Sequence, residues 1–384
     1  MPPVVIDVNS AEDSRDVVHR AVQALVEGKL AAIPTETVYG LAASALKAQA
    51  VLRLLDVKGR REGNPLALAI KSADEAEDYV PDMPTLGVRL TRRCWPGPVT
   101  LVFDDNHPDS AVRQLPKEVQ QVVCQSGTIG LRVSAHPLVL EVSRLIAGPL
   151  ALTSANRSGQ PDLVTGRDVI SELGDDIDLV LDDGRTQYGQ SSTVVRVHAD
   201  RLEVLREGIV TQSHLRRLAS LVVVVVCTGN TCRSPMAAAL LRHRLAERLG
   251  CTVSDLEDRG VVVASAGLNA YGGGSAATEA IQTMSERGVD LSDHVSQPLT
   301  DRLARHADII FTMTRSHREM LLAQWPEAAS RTHLLCIDGR DVTDPIGGSR
   351  EIYAACAKQI DAALAERVAE LDIRSLAPKI SIAH

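Results

Sequence analysis

The chain has 384 residues, enough for two domains of ordinary size. Its hydrophobic fraction of 45% and charged fraction of 23% exclude wholesale disorder and a fibrous architecture. With 2 Trp, 2 Phe and 5 Tyr, the cores must be aliphatic and few side chains can stack on bases. The net charge of −8 argues against a broad nucleic-acid-binding surface and leaves room only for a local basic pocket.

No targeting or membrane-spanning segment is predicted. The longest apolar run, Leu221–Cys227, is far shorter than the roughly 20 residues that cross a bilayer, and the first residues lack a basic stretch ahead of an apolar one. The seven cysteines fit neither a disulfide framework nor a zinc site. We therefore expect a cytoplasmic protein without membrane contact, in which any special cysteine serves catalysis.

The first half mixes helices and strands in an irregular order. Apolar spacing predicts helices at 13–27 and 49–57. Short apolar runs bounded by turn residues predict strands at 30–33, 66–70, 99–103, 128–133, 150–152, 179–181, 193–197 and 202–205. This pattern is typical of a mixed α/β domain, which we expect over residues 1–210.

The second half alternates more regularly, after a polar linker expected at 211–220. Strands are predicted at 222–226, 261–265, 308–312 and 332–335. The helices between and after them are predicted at 235–249, 275–287, 315–324 and 349–371. Such alternation indicates right-handed crossovers and a doubly wound parallel sheet over 221–384, so the whole chain is predicted to be a two-domain α/β protein. Ligands of such sheets lie at the carboxyl ends of the strands.

A loop with the sequence CTGNTCRSP follows the first of these strands. We expect Ser234 to cap the next helix and Pro235 to be its first residue, so that free N–H groups and the helix dipole favour a tetrahedral anion. Cys227 and Arg233 flank this cradle; the thiolate is favoured there, and the guanidinium can grip phosphate oxygens. Without the neighbouring residues, Cys227 would be interpreted as a small buried residue at the end of a strand, which is the usual role of a free cysteine. Together these residues indicate phosphoryl transfer to sulfur.

The late segment DVTDPIGGS supplies an acid that can protonate a leaving group. With CTGNTCRSPM it resembles the low-molecular-weight protein tyrosine phosphatase family, over roughly 221–372. The resemblance implies Cys227 as nucleophile, Arg233 as phosphate clamp and Asp344 as general acid, with no cofactor. It also implies that Cys232 can form a protective disulfide with the nucleophile. The supporting residues of the phosphate loop are then Thr228, Gly229, Asn230, Thr231, Cys232 and Ser234.

The residue at 231 bears on the substrate. Family members that act on phosphoarginine have Thr at this position, whereas the tyrosine enzymes have a bulkier apolar residue. Thr231 leaves room for a planar guanidinium, whose charge Asp344 can receive, so phosphoarginine on protein substrates is predicted. Ile346 replaces the aromatic residue usual in that subgroup, which keeps phosphotyrosine as the alternative. Arsenate reduction on the same fold needs further cysteines to relay a disulfide, and there are none between Cys251 and Cys336. A further alternative is that the second half is a redox-regulated binding domain and not an enzyme.

Polar clusters of the first half lie at 34–40, 58–66 and 153–156. A Lys-x-Arg pair beside a glycine turn can bind polyphosphate, and Ser and Asn can fix small polar groups, although each cluster alone is compatible with an ordinary turn or helix end. In this order the clusters resemble the YrdC-type threonylcarbamoyl-AMP synthases over about 5–210. The other motifs of the set are WPGPVT at 95–100, GTIGLR at 127–132 and LREG at 205–208.

This resemblance implies condensation of L-threonine, bicarbonate and ATP to threonylcarbamoyl-AMP, with release of pyrophosphate. Separate transfer proteins then pass the group to adenosine 37 of tRNA, in the t6A modification. The residues implied around threonine are Thr37, Arg132, Ser154 and Ser192. Those implied around ATP and its Mg²⁺ are Lys58, Arg60, Asn64, Thr128, Asn156 and Arg206. Double-stranded RNA binding is also implied, but charge and composition limit the tRNA contact that we expect to a weak, local one.

The first half departs from the family pattern at two places. Ala69 stands where relatives often have His, and the segment 162–164 replaces Ser-Pro-Thr, ending in Val164. Each change removes a polar contact, so we expect weaker substrate affinity.

The alternative to synthase activity is that the first half only binds a nucleotide or RNA, so that the phosphatase in the second half is the sole enzyme. Retention of Lys58 and Ser154 argues against it.

Overall fold

The computed structural model describes residues 2–59, 66–371 and 379–382. Its residues fall into two compact units. The first comprises Met1–Leu218 with Lys379–His384, and the second comprises Ala219–Pro378. Arg60 and Asn64, which the family resemblance assigns to ATP, lie outside the described residues. No helix in the described part of the chain is long and apolar enough to cross a membrane.

The first unit is built on a large mixed sheet. Its first ten strands are β1 (Val4–Asp7), β2 (Ala31–Ile33), β3 (Gly40–Ser44), β4 (Ala67–Ala69), β5 (Val99–Asp104), β6 (Thr128–Arg132), β7 (Leu150–Ser154), β8 (Leu179–Asp182), β9 (Thr193–Val197) and β10 (Arg201–Arg206). They are ordered β1-β8-β2-β3-β7-β4-β6-β5-β9-β10. Parallel and antiparallel neighbours alternate irregularly, as in β4, which is parallel to β6 and antiparallel to β7. The predicted mixed α/β domain is confirmed.

Helices cover this sheet. They are α1 (Ser14–Val26), α2 (Ala48–Lys58), α3 (Ala76–Tyr79), α4 (Thr85–Cys94), α5 (Lys117–Val123), α6 (Pro137–Leu145), α7 (Gly166–Leu173) and α8 (Gln212–Ala219). Helix α1 begins where the Asp13 carboxylate accepts a hydrogen bond from the Arg15 amide at 2.8 Å. Helix α2 ends at Gly59, whose φ of 59° is left-handed. Helix α8 occupies most of the segment that the sequence predicts as a polar linker.

The second unit has a four-stranded sheet in its described residues, parallel throughout and ordered β12-β11-β13-β14. Its strands are β11 (Leu221–Cys227), β12 (Val261–Gly267), β13 (Ile309–Thr312) and β14 (Thr332–Leu334). Its helices are α9 (Arg233–Leu249), α10 (Thr278–Ser285), α11 (Asp301–His306), α12 (Arg315–Gln324) and α13 (Arg350–Glu370). Alternate valines of β11 enter two separate cores, one on each face of the sheet. The predicted doubly wound parallel sheet is confirmed.

One further strand, β15 (Lys379–Ile382), belongs to the first unit although it follows the second in sequence. It lies parallel to β10 at the edge of the large sheet. The sequence places these residues in the second domain. The structure places them in the first unit because their backbone pairs with β10.

Candidate active sites

Cys227 ends strand β11 at the carboxyl edge of the second sheet and is 3% exposed. We call residues 227–234 the phosphate loop. The prediction that Ser234 caps the next helix and that Pro235 is its first residue was wrong, because α9 begins at Arg233 and both residues lie in its first turn. The Ser234 hydroxyl faces the thiol instead, with the Cys227 Sγ 3.0 Å from the Ser234 Oγ.

Asn230 holds the phosphate loop in shape. Its φ of 56° is left-handed, a conformation that Asn tolerates better than most residues. Its Nδ2 donates to the hydroxyls of Ser234 and Ser265, each at 2.9 Å, and its Oδ1 accepts from the Gln297 amide at 2.9 Å. Its own backbone N–H donates to the Cys227 sulfur at 3.3 Å. The sulfur therefore lies among fixed donors before any substrate arrives.

Arg233 and Asp344 meet at this loop from distant parts of the sequence. The Arg233 Nη2 donates to the Asp344 Oδ2 at 2.6 Å. The arginine side chain is 6% exposed and the aspartate side chain 46% exposed. Ile346, whose amide donates to the Asp344 Oδ1 at 3.3 Å, is 70% exposed. The structure thus brings the proposed clamp and acid together and leaves the acid accessible from solvent.

His317 and Tyr353 also contact the loop, and no motif in the sequence marks either of them. The His317 Nε2 lies 2.8 Å from the Thr228 Oγ1, and burial, followed by the charge of Arg233, lowers the pKa of His317 to about 4. The Tyr353 hydroxyl lies 3.2 Å from the Cys232 Sγ, and burial raises the pKa of this phenol. At neutral pH the loop therefore rests against an uncharged imidazole and an uncharged phenol.

In the first unit, a cavity of about 470 Å³ lies where strands β3, β6, β7 and β10 converge. We call it the first-unit cavity. Ala69 and Val38 form part of its apolar wall, so the position where relatives often have His does face this space. The predicted residues that line it are Thr37, Thr128, Arg132, Ser154, Ser192 and Arg206.

Lys58, at the end of α2, reaches the residues that begin the loop after β7. Its ammonium donates to the Ser154 carbonyl at 2.7 Å, to the Ser154 hydroxyl at 3.0 Å and to the Asn156 Oδ1 at 2.5 Å. Lys58 is only 7% exposed and Asn156 is equally buried. This cluster joins two of the predicted ATP-binding residues to a predicted threonine-binding one, at the cavity wall.

Arg132 is held by Glu36, a residue to which the sequence assigned no role. The Arg132 Nη2 donates to the Glu36 Oε1 at 2.7 Å and to the Thr37 hydroxyl at 2.9 Å. Glu36 also accepts from the Ser134 hydroxyl at 2.5 Å and from the Ala135 amide at 3.0 Å. Burial raises the pKa of Glu36, but the Arg132 charge and the Ser134 bond outweigh it, so this pKa is lowered overall. The pair is an ion pair at neutral pH.

Arg206 and Ser192, which also line the cavity, contact each other. The Arg206 Nη2 donates to the Ser192 carbonyl at 2.9 Å and to its hydroxyl at 3.1 Å. The same hydroxyl lies 3.2 Å from that of Thr100. Among the described residues, no group of three His, Cys, Asp or Glu side chains is placed to hold a metal ion.

Comparison with known proteins addresses both sites. The Sua5/YciO/YrdC family model, described as telomere recombination, matches residues 23–208. The model for low-molecular-weight phosphotyrosine protein phosphatase matches residues 222–375. A putative threonylcarbamoyl-AMP synthase of Mycobacterium tuberculosis is 36% identical over 53% of this chain and 88% of its own length. A protein-arginine-phosphatase of Bacillus subtilis is 36% identical over 39% of this chain and 95% of its own length.

The chain belongs to both families. The Pyrococcus abyssi threonylcarbamoyl-AMP synthase is 40% identical over 47% of this chain, and the chain spans 51% of that protein's length. A solved structure of P. abyssi Sua5 is 24% identical and covers 86% of this chain and 98% of its own, with a TM-score of 0.50, which bears on the fold alone. We refer below to the Sua5/YrdC unit and the phosphatase unit.

Proposed function

We propose that the Sua5/YrdC unit is an L-threonylcarbamoyl-AMP synthase and that the phosphatase unit is a protein-arginine phosphatase. The observation that carries the second activity is the convergence of the Cys227 sulfur, the donors around it and the Arg233–Asp344 pair. For the first, it is the cavity lined by Arg132 and by Ser154, whose hydroxyl accepts a hydrogen bond from Lys58. Together they describe one chain with two unrelated chemistries.

In the phosphatase unit, Cys227 as thiolate would attack the phosphorus in line with the leaving group. The N–H of Asn230 and the hydroxyl of Ser234 lie at the sulfur and stabilise its charge, while Arg233 holds the phosphoryl oxygens. Asp344 would give its proton to the departing nitrogen. In the second half-reaction Asp344 takes a proton from water as the water oxygen attacks phosphorus, the P–S bond breaks, and phosphate and the Cys227 thiolate are released.

Phosphoarginine is the substrate that the site favours. Thr231 presents a short side chain at the loop, with its hydroxyl 3.6 Å from the Cys232 sulfur, and Asp344 offers a carboxylate to a cationic guanidinium. The B. subtilis relative is named a protein-arginine-phosphatase. Phosphotyrosine remains the second candidate, because the exposed Ile346 next to Asp344 can cover a phenol ring.

In the Sua5/YrdC unit, catalysis would rest on positioning and charge. Arg132 would take the threonine carboxylate, with Thr37, Ser154 and Ser192 beside it. Lys58, Thr128, Asn156 and Arg206 would hold ATP, with Arg60 and Asn64 from outside the described residues. Bicarbonate adds to the threonine amine with loss of water, and an oxygen of the resulting carbamate attacks the α-phosphorus, so that pyrophosphate leaves.

The further components follow from this chemistry. Mg²⁺ would enter with ATP and neutralise charge on its phosphates. Other proteins would transfer the threonylcarbamoyl group to tRNA, so this chain needs at most a weak, local RNA contact, and double-stranded RNA binding would be of that kind. All these reactants are cytoplasmic, which is where we place the protein.

The phosphatase proposal is tested with phosphoarginine and phosphotyrosine peptides of the same sequence, assayed side by side. We expect preference for phosphoarginine, no turnover by Cys227→Ser, and a shift toward phosphotyrosine in Thr231→Ile. A preference for phosphotyrosine in the unchanged protein would make the chain a tyrosine phosphatase. If neither peptide were hydrolysed, the remaining hypothesis for this unit would be a redox-regulated binding domain.

The synthase proposal is tested by pyrophosphate release from ATP. We expect release that requires both threonine and bicarbonate and that falls sharply in Lys58→Met, which removes the charge and keeps the length of the side chain. Arg53→Met is the matched control, because Arg53 pairs with Asp178 away from the cavity. ATP binding without threonine-dependent release would reduce the unit to a nucleotide-binding module.

A further inference from the structure

Strand β15 adds an outer strand to the sheet of the Sua5/YrdC unit. It pairs in parallel with β10 over four residues, from Arg201 opposite Lys379 to Val204 opposite Ile382. The Ser381 hydroxyl donates to the Leu202 carbonyl at 3.5 Å. Ile380 is half-buried, whereas Ile382 is exposed. The whole phosphatase unit is thus inserted, in sequence, between two neighbouring strands of one sheet.

The partner strand β10 leads directly into the first-unit cavity. Its last residue is Arg206, which lines that cavity and bonds to Ser192. The pairing of β10 with β9 shifts register between Val204 and Arg206, so the ladder is irregular just before the arginine. An irregular ladder holds its end less firmly than a continuous one. The pairing of β10 with its second neighbour, β15, therefore helps to fix the position of Arg206.

Without β15, strand β10 would be the edge of the sheet. The N–H and C=O groups on its outer side would then be open to solvent, and edge strands fray and open more readily than strands with two neighbours. Loss of the hydrogen bonds to β15 would destabilise the strand that carries Arg206 and would not affect the phosphate loop.

We propose that β15 is a positioning element for the synthase reaction, which holds β10 so that Arg206 keeps its place in the cavity. This inference rests on the proposed synthase function. It makes the residues that follow the phosphatase unit a part of the first active site. It also means that the two activities cannot be separated by cutting the chain at the first boundary between the units without altering the synthase.

The test compares the full chain with a chain that ends at residue 378. A second variant, Ile380→Pro with Ser381→Pro, keeps the length but removes two successive backbone donors, one of which faces β10. Its matched control is Ile380→Val with Ser381→Thr, which keeps the donors. Phosphatase turnover is measured in every sample and reports whether the second unit is folded. The readouts are hydrogen exchange of the β10 amides and the KM for ATP in pyrophosphate release.

We expect faster exchange at β10 and a KM for ATP raised about fivefold in the truncated and proline variants, with unchanged phosphatase turnover and no effect in the control. In an Arg206→Ala background, truncation should change the KM no further, because the lost residue is the one that β15 positions. Unchanged exchange and KM in the truncated chain would overturn the inference. A full chain that releases no threonine-dependent pyrophosphate would instead refute the synthase function, and exchange at β10 would still decide whether β15 docks.

Discussion

The guanidinium of Arg233 donates to the carboxylate of Asp344 at 2.6 Å, across 111 positions of sequence. One residue opens helix α9 and the other lies in the loop before α13. A phosphoryl group that binds Arg233 competes for the same N–H donors. Substrate would thereby free the Asp344 carboxyl to face the leaving group, so that the proposed clamp and the proposed acid would act in sequence.

Replacement of Asp344 tests this order. Asp344→Asn should lower kcat on a phosphoarginine peptide by about 10²–10³-fold, because the departing nitrogen must be protonated. The loss should be smaller on p-nitrophenyl phosphate, whose leaving group departs as an anion. Asp338→Asn, at an exposed carboxylate that pairs only locally with Arg340, is the control. Equal losses on both substrates would show that Asp344 is not the acid.

Asn230 is the next residue to test, because it combines a left-handed backbone with three side-chain hydrogen bonds to Ser234, Ser265 and Gln297. Asn230→Ala should reduce phosphatase turnover by more than about a hundredfold and destabilise the unit by about 2–4 kcal/mol, since buried partners lose their bonds and φ is positive. Asn230→Gly removes the same side chain but relieves the backbone, so it should recover about 1 kcal/mol without restoring turnover.

The readout for stability is the fluorescence of Trp325, which lies in the phosphatase unit. Trp95, the other tryptophan, is in the first unit, so a Trp95→Phe background isolates the signal. If the Asn230→Ala and Asn230→Gly proteins unfolded at the same urea concentration, the left-handed backbone at position 230 would not lower the stability of the alanine variant.

Periodicity predicted the longer elements of the phosphatase unit well, whereas α11 was missed because its six residues, DRLARH, are too few to show an apolar period. The helix predicted at 315–324 has those bounds in the structure, and the valine run became β11. In the first unit β3, with the sequence GLAAS, was missed because its small residues carry no β signal. Helix α4 was missed too, since Gly87 interrupts its pattern.

The candidate functional residues likewise fall into those that a local pattern marks and those that only the fold reveals. Cys227 and Arg233 are close in sequence and could be recognised by their spacing. Glu36 and His317 act through partners 96 and 89 positions away, and nothing local marks them. Glu36 lies inside the motif at 34–40, so its chemistry was visible but its partner was not. Long-range pairing is fixed by the sheet topology, which periodicity does not supply.

The buried imidazole of His317 predicts a pH dependence of stability. Its pKa is lowered to about 4 by burial first and by the Arg233 charge second. Above the unfolded pKa near 6.5 the group is neutral in both states and contributes nothing. Between pH 6.5 and 4 only the unfolded chain binds the proton, so the folded unit loses stability as pH falls, on the order of 2–3 kcal/mol by pH 4.5.

His317→Gln keeps a polar partner for Thr228 and removes the titration. Urea unfolding followed by Trp325 should show that this variant loses less stability between pH 7.5 and 4.5 than the unchanged protein does. His243→Gln, at an exposed histidine of the same unit, serves as the control and should leave the loss unaltered. An identical pH dependence in all three proteins would mean that His317 takes up its proton at the same pH in the folded and unfolded states.

The Glu36–Arg132 ion pair makes a prediction for the other active site. Glu36→Gln removes the charge that holds the guanidinium but keeps the size of the side chain, so the arginine that we assign to threonine loses its orientation. The KM for threonine should rise about tenfold, with a smaller change in the KM for ATP. Glu141→Gln, at an exposed pair with Arg144, should change neither constant. A rise confined to the KM for ATP would move Arg132 to the nucleotide and away from the amino acid.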